Sequence, residues 1–176
     1  MLEFGLLWGR DVIMKSHHLL YLLGFSPLST ALLEQRFVSF ENTPGSVPLH
    51  DAIILYAEDD PVGVQIASES VAQDFEQITG NRPETIGIDG RNSTGLQQYG
   101  SSAIIAGTVD STLIKELVAE GKVTVSDIEG KWESFKTSVV TTPFLGVSQA
   151  LVIAGSDKRA VMFGLYTLAE QSGQSP

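Results

Sequence analysis

Ala150-Leu151-Val152-Ile153-Ala154-Gly155-Ser156-Asp157-Lys158-Arg159 is the stretch that decides the fold. Its five leading residues are apolar without alternation, which suits a strand covered on both faces and central in a sheet. Gly155 and the polar pair Ser156 and Asp157 then break the strand. Val161, Met162, Leu165, Leu168 and Ala169 follow at helical spacing, so a helix is expected over about residues 157–171. The same grammar occurs twice upstream, over residues 52–80 and 103–121: an apolar strand, a short acidic turn, and a helix closed by Gly80 or Gly121. Three such units predict one sheet with helices packed on it. With three helices for about five to seven strands, the expected class is α+β, a two-layer mixed sheet.

The other segments fill in that frame. Residues 36–40, 85–88 and 134–142 read as strands, the last alternating Phe135, Thr137, Val139 and Thr141 against more polar neighbours. Asp60-Pro61 offers an N-cap and a first-turn proline for the helix carrying Val64, Ala67, Val71, Phe75 and Ile78. Asp110 or Thr108 is expected to cap the next helix, with Leu113, Ile114, Leu117 and Val118 turned inward. A Gly/Asn/Ser/Gln loop occupies residues 89–100.

Composition narrows the function. The chain has 176 residues, 11 Lys+Arg and 21 Asp+Glu, a net charge of −10, and no cysteine. A chain this long buries about two-thirds of its unfolded surface, enough for one domain without a disulfide or metal staple. The acidity argues against nucleic acid or an anionic membrane as partner, since phosphate binding needs clustered Lys and Arg. Cysteine ligands and thiolate catalysis are excluded. There is no G-x-G-x-x-G and no G-x-x-x-x-G-K-[ST], so a nucleotide cofactor is not expected.

Near the start, Leu19-Leu20-Tyr21-Leu22-Leu23-Gly24-Phe25-Ser26-Pro27-Leu28 is too short to span a bilayer. It fits a secretory signal if translation starts at Met14, with cleavage near Ala31; a buried N-terminal helix is the competing reading. Residues 1–31 are therefore expected to be an upstream extension plus signal peptide, and residues 32–176 a single secreted domain. Asn92-Ser93-Thr94 is a glycosylation sequon consistent with secretion.

The candidate chemistry gathers after the strands. Ser156, Asp157, Lys158 and Arg159 open a helix, where backbone N–H groups favour an anion and two cations add charge-assisted hydrogen bonds. Alternatively, Asp157 simply caps the helix and the cations are solvated. Glu58, Asp59, Asp60, Asp110 and Asp157 would share one sheet edge if their strands are parallel. Paired carboxylates there would suit glycosidic cleavage, but caps and first-turn acids are the simpler reading. Trp132 stacks on a sugar ring or packs on the sheet. His17 and His18 lie in the leader, and His50 alone supports no metal site or catalytic triad.

Taken in order, several segments resemble the N-terminal domain of glycoside hydrolase family 115, the xylan α-1,2-glucuronidases. They are Gly130-Lys131-Trp132-Glu133-Ser134-Phe135, the 150–159 stretch, Gly164-Leu165-Tyr166 and Gln171-Ser172-Gly173-Gln174-Ser175-Pro176. The likeness runs more loosely through Phe37-Val38-Ser39-Phe40 and the helix over residues 59–80. It implies a fold similar to the small domain preceding the barrel of β-hexosaminidases. It also implies a secreted or periplasmic enzyme that removes 4-O-methylglucuronic acid from glucuronoxylan with inversion and without a cofactor. In that family the catalytic carboxylates lie in a following (β/α) barrel, so none transfers to this chain. Two departures stand out: Ala160 replaces the family's usual Gly, and no aromatic-rich linker follows Pro176.

The leading expectation is a truncated N-terminal domain of such a glucuronidase, inactive alone and meeting xylan through a missing barrel. Ser156, Asp157, Lys158, Arg159 and Trp132 would then lie at the substrate rim or between domains. The alternatives are a stand-alone carbohydrate-binding or interaction module, and an inactive chain that exposes a large apolar patch.

Overall fold

The computed structural model describes residues 5–6, 36–41, 44–89 and 101–173. The leader reading over residues 14–31 and the Asn92 sequon lie outside the described residues. In chain order the elements are β1 (Gly5–Leu6), β2 (Val38–Ser39), β3 (Ile53–Ala57), α1 (Val62–Thr79), β4 (Thr85–Ile88) and β5 (Ser102–Thr108). After them come α2 (Thr112–Ala119), β6 (Phe135–Thr141), β7 (Gln149–Gly155) and α3 (Lys158–Gly173).

The main sheet has five strands in the order β4-β3-β5-β7-β6. β3, β5 and β7, the three strands of the repeated strand–helix unit, are adjacent and parallel at its centre. β4 pairs parallel to β3 at one edge, and β6 pairs antiparallel to β7 at the other. β1 and β2 form a separate antiparallel pair. This is the mixed sheet with three helices that the pattern predicts. Every residue of β5 is buried, and all of β7 after Gln149, which is why neither strand alternates.

That two-sided burial also settles the layering. One core, with Ile54, Ile104, Leu151 and Ile153 on the sheet, is covered by α1 and α3. The opposite core, with Leu55, Ile105, Val152 and Ala154, is covered by Leu113, Ile114 and Leu117 of α2 together with Val123, Ile128, Phe144 and Val147. The helices thus lie on both faces, making three layers where two were expected. Central strands that are apolar on successive positions need a cover on each side. β6 serves both faces as well: Val139 packs toward the first core and Val140 lies in the second.

Local chemistry fixes how the helices sit. A Cβ on Gly164 would lie 2.5 Å from Ile153 Cγ2 and 3.0 Å from Phe135 Cδ2, so glycine lets α3 rest directly on β7 and β6. Buried Gln171, near the end of α3, accepts the Phe37 and Val38 N–H groups at 2.9 and 3.3 Å and ties β2 to the domain.

Two caps differ from expectation. Pro61 holds the N-cap position of α1 without a side-chain cap, and Asp60 turns instead to β5. α2 is capped by Ser111, whose Oγ accepts the Ile114 N–H, rather than by Asp110 or Thr108. Val118 lies about 90° around the helix from the middle of the Leu113, Ile114 and Leu117 stripe and is exposed rather than turned inward.

Candidate functional site

The parallel order of β3, β5 and β7 brings the turns after them to one edge of the sheet. Because β6 runs the other way, its amino-terminal approach arrives at the same edge, with Phe135 paired to Gly155. The two segments that carry the family resemblance, residues 130–135 and 150–159, therefore meet at one corner.

Their contact is built from hydrogen bonds. Ser156 N–H donates to the Ser134 carbonyl at 2.8 Å, and Ser134 N–H donates to Ser156 Oγ at 3.0 Å. Asp157 is the hub. Its carboxylate accepts the Arg159 and Ala160 N–H groups at 2.8 and 2.9 Å, capping α3, and the Glu133 N–H at 2.9 Å. Partial burial works to raise the Asp157 carboxyl, but the N–H donors of Ala160, Glu133 and Arg159 and the Arg159 charge outweigh it. The group is held below the usual carboxylate range.

The turn is also sterically closed. A Cβ on Gly155 would stand 2.5 Å from the Val161 nitrogen and 2.6 Å from Val161 Cγ2, so the strand meets the first turn of α3 with no room for a side chain. Ala160 is fully buried in the adjoining core, so the methyl group at this departure from the family pattern is accommodated.

What the corner shows to solvent is different in kind. Glu133 adopts a left-handed backbone conformation, φ 49°, which costs energy for a non-glycine residue and is held by the Asp157 bond. Its carboxylate lies 2.7 Å from Arg159 Nη1 as an ion pair, although that contact lacks hydrogen-bond alignment. Trp132, immediately before the kink, is 73% exposed, which excludes packing of its ring on the sheet. Lys131, Lys158 and Arg159 of the same two segments are exposed as well. Of the predicted site residues, Ser156 and Asp157 thus bind the corner together, while Trp132, Lys158 and Arg159 face outward.

The remaining carboxylates follow the structural alternative. Asp60 accepts the Thr108 hydroxyl at 2.5 Å and its N–H at 3.0 Å. Burial raises the Asp60 carboxyl above its ordinary value; the Thr108 bonds oppose the rise, and the Asp59 and Asp110 charges add to it. Asp59 accepts the Thr112 N–H and hydroxyl at 3.0 and 3.1 Å. Asp110 pairs with Lys115 at 3.5 Å. Glu58 is exposed. Bridging and capping thus engage Asp59, Asp60 and Asp157, and Asp110 sits in a surface ion pair. The Glu133 kink, the Gln171 tie and the aspartate–threonine bridges were not foreseen from sequence, because each depends on partners dozens of residues away or on a φ angle.

Elsewhere, an open groove of about 450 Å³ runs between the later turns of α1 and α3, lined by Asp74, Gln77, Ile78, Tyr166, Ala169 and Glu170. Its two acids disfavour an anionic sugar. His50 Nδ1 lies 2.8 Å from Asp51 Oδ1 at the surface. Among the described residues no group of three or more His, Asp or Glu is arranged to hold a metal ion, and no helix is long and apolar enough to cross a membrane.

No protein-family model matches the chain, and no curated protein matches it. Among solved structures it is similar to one described as a novel family GH115 4-O-methyl-alpha-glucuronidase, BtGH115A, with specificity for decorated arabinogalactans. The identity is 17% and the TM-score 0.49. The match covers 71% of this chain and spans 14% of the length of that enzyme.

Proposed function

We propose that this chain is an accessory domain of a secreted glucuronidase-like glycoside hydrolase acting on the glucuronic acid side chains of xylan. In this reading the acid and base come from a partner barrel. The observation that carries it is the corner itself. Two sequence segments that resemble family 115 are interlocked there through Asp157 and Ser156, and together they present Trp132, Lys158 and Arg159. An exposed indole on the same corner as exposed cations suits a surface that packs against a neighbouring domain or borders a site for a uronate carboxylate. The engagement of Asp59, Asp60, Asp110 and Asp157 in internal contacts supports a scaffold without a carboxylate pair of its own. A family 115 barrel stripped of its own N-terminal domain should bind this chain, and Trp132→Ala or Arg159→Ala should weaken that association.

The exposure of Trp132 also favours a second reading, a stand-alone carbohydrate-binding module, because an exposed indole stacks on a pyranose face. Affinity electrophoresis in glucuronoxylan separates the two. A module is retarded and loses retardation in Trp132→Ala, whereas an accessory domain migrates as in a plain gel. Absence of barrel binding together with xylan retardation would replace the first reading by the second.

A further inference from the structure

In sheets covered on both faces, ligands enter where neighbouring parallel strands send their helices to opposite sides, because the two outgoing turns separate there and leave a crevice at the carboxyl ends of the strands. Besides the β5–β7 boundary, where α2 and α3 also part to opposite faces, in this fold that place lies between β3, which leads to α1 on one face, and β5, which leads to α2 on the other. The turn after β3 reaches across it twice. Asp60 holds the last residue of β5 through the Thr108 N–H and hydroxyl, and Asp59 holds the first residue of α2 through the Thr112 N–H and hydroxyl. The space beneath is filled too: a Cβ on Gly107 would meet Ser111 Oγ at 2.8 Å, Ile114 Cγ1 at 3.0 Å and Asp60 Oδ2 at 3.1 Å.

At the start of α2, the Thr112 N–H goes to Asp59 and the Ile114 N–H to Ser111. A carboxylate from the chain itself thus stands where an external anion would be received. We infer that this crevice is closed from within by the Asp59–Thr112 and Asp60–Thr108 bridges, an internal occupancy that joins the β3–α1 and β5–α2 turns into one rigid edge. This inference stands on the bridge geometry and does not depend on the glycosidase reading.

The test uses the backbone amide resonances of the full chain. In the wild type, inorganic phosphate leaves the Thr112 and Leu113 amides unshifted. Asp59→Ala speeds exchange of the Thr112 amide about tenfold, the loss expected for a hydrogen bond to a charged acceptor, and phosphate then shifts Thr112 and Leu113. Thr112→Val, which keeps the N–H and removes the hydroxyl, is a milder variant should Asp59→Ala unfold; it speeds the same exchange by a smaller factor. Wild-type amides that shift with phosphate would overturn the inference. So would Thr112 exchange that is unchanged in a folded Asp59→Ala protein, or in Thr112→Val where that is the variant that folds.

Discussion

Replacing Asp157 by alanine removes three backbone contacts at once, and its cost can be worked from them. Losing the cap of α3 costs about 1 kcal/mol. Leaving the Glu133 N–H without its acceptor adds about 1–2 kcal/mol, taken at the lower end because the site is partly solvated. The sum, about 2–3 kcal/mol, lowers the melting temperature by roughly 5–10 °C for a domain of this size. Asp157→Asn keeps the cap and loses less. The pH dependence has a definite sign. The native carboxyl lies below its unfolded value, so the stabilisation is fully present above the unfolded value, roughly 4, and disappears as pH falls through the native one. Thermal melts of wild type, Asp157→Ala and Asp157→Asn, monitored by circular dichroism at neutral pH and near pH 3, measure all of this. An Asp157→Ala protein melting within a degree of wild type at neutral pH would refute the hub. So would a wild-type advantage over Asp157→Asn that grows on acidification.

Three further outcomes follow from the same geometry. Gly155→Ala places a methyl group within 2.6 Å of two Val161 atoms and should cost at least about 1–3 kcal/mol, seen as a lowered urea midpoint or insoluble expression. Asp60→Asn retains an acceptor for the Thr108 N–H and removes a charge that burial disfavours. The native Asp60 value is raised, so wild-type stability falls as pH climbs from the unfolded value through the native one; the variant should unfold at an equal or higher urea midpoint at neutral pH and lose that margin in acid. Trp132→Ala changes a side chain that is 73% exposed and should leave the melting curve within about 0.5 kcal/mol of wild type, so any loss of binding it causes reports on the surface.

Much of the fold is readable from runs and punctuation. The unalternating apolar runs ending in Ala57, Ala106 and Ala154, each entering a helix, predict one sheet with helices packed on it and the last run central, and the alternation over residues 134–142 marks β6 as a half-buried strand. The same signal carried the layering, because residues apolar on both strand faces need two covers. The number of helices alone suggests two layers. Caps were less legible. The sequence Asp59-Asp60-Pro61 satisfies the cap pattern for α1, yet Thr108 and Thr112, brought close by β5 and α2, compete for both carboxylates. At the corner, residue types identified Ser156, Asp157, Lys158, Arg159 and Trp132. Which of them face inward depends on the antiparallel return of β6, a pairing between segments about twenty residues apart that local pattern does not encode.

In the proposed function the hydrolytic acid and base lie outside this polypeptide, and release of 4-O-methylglucuronic acid from glucuronoxylan tests that most directly. The purified chain incubated alone with the polysaccharide should liberate no more uronic acid than a buffer blank over the pH range in which it stays folded. Release above that blank, abolished by neutralising one carboxylate of this chain in a variant that remains folded, would contradict it.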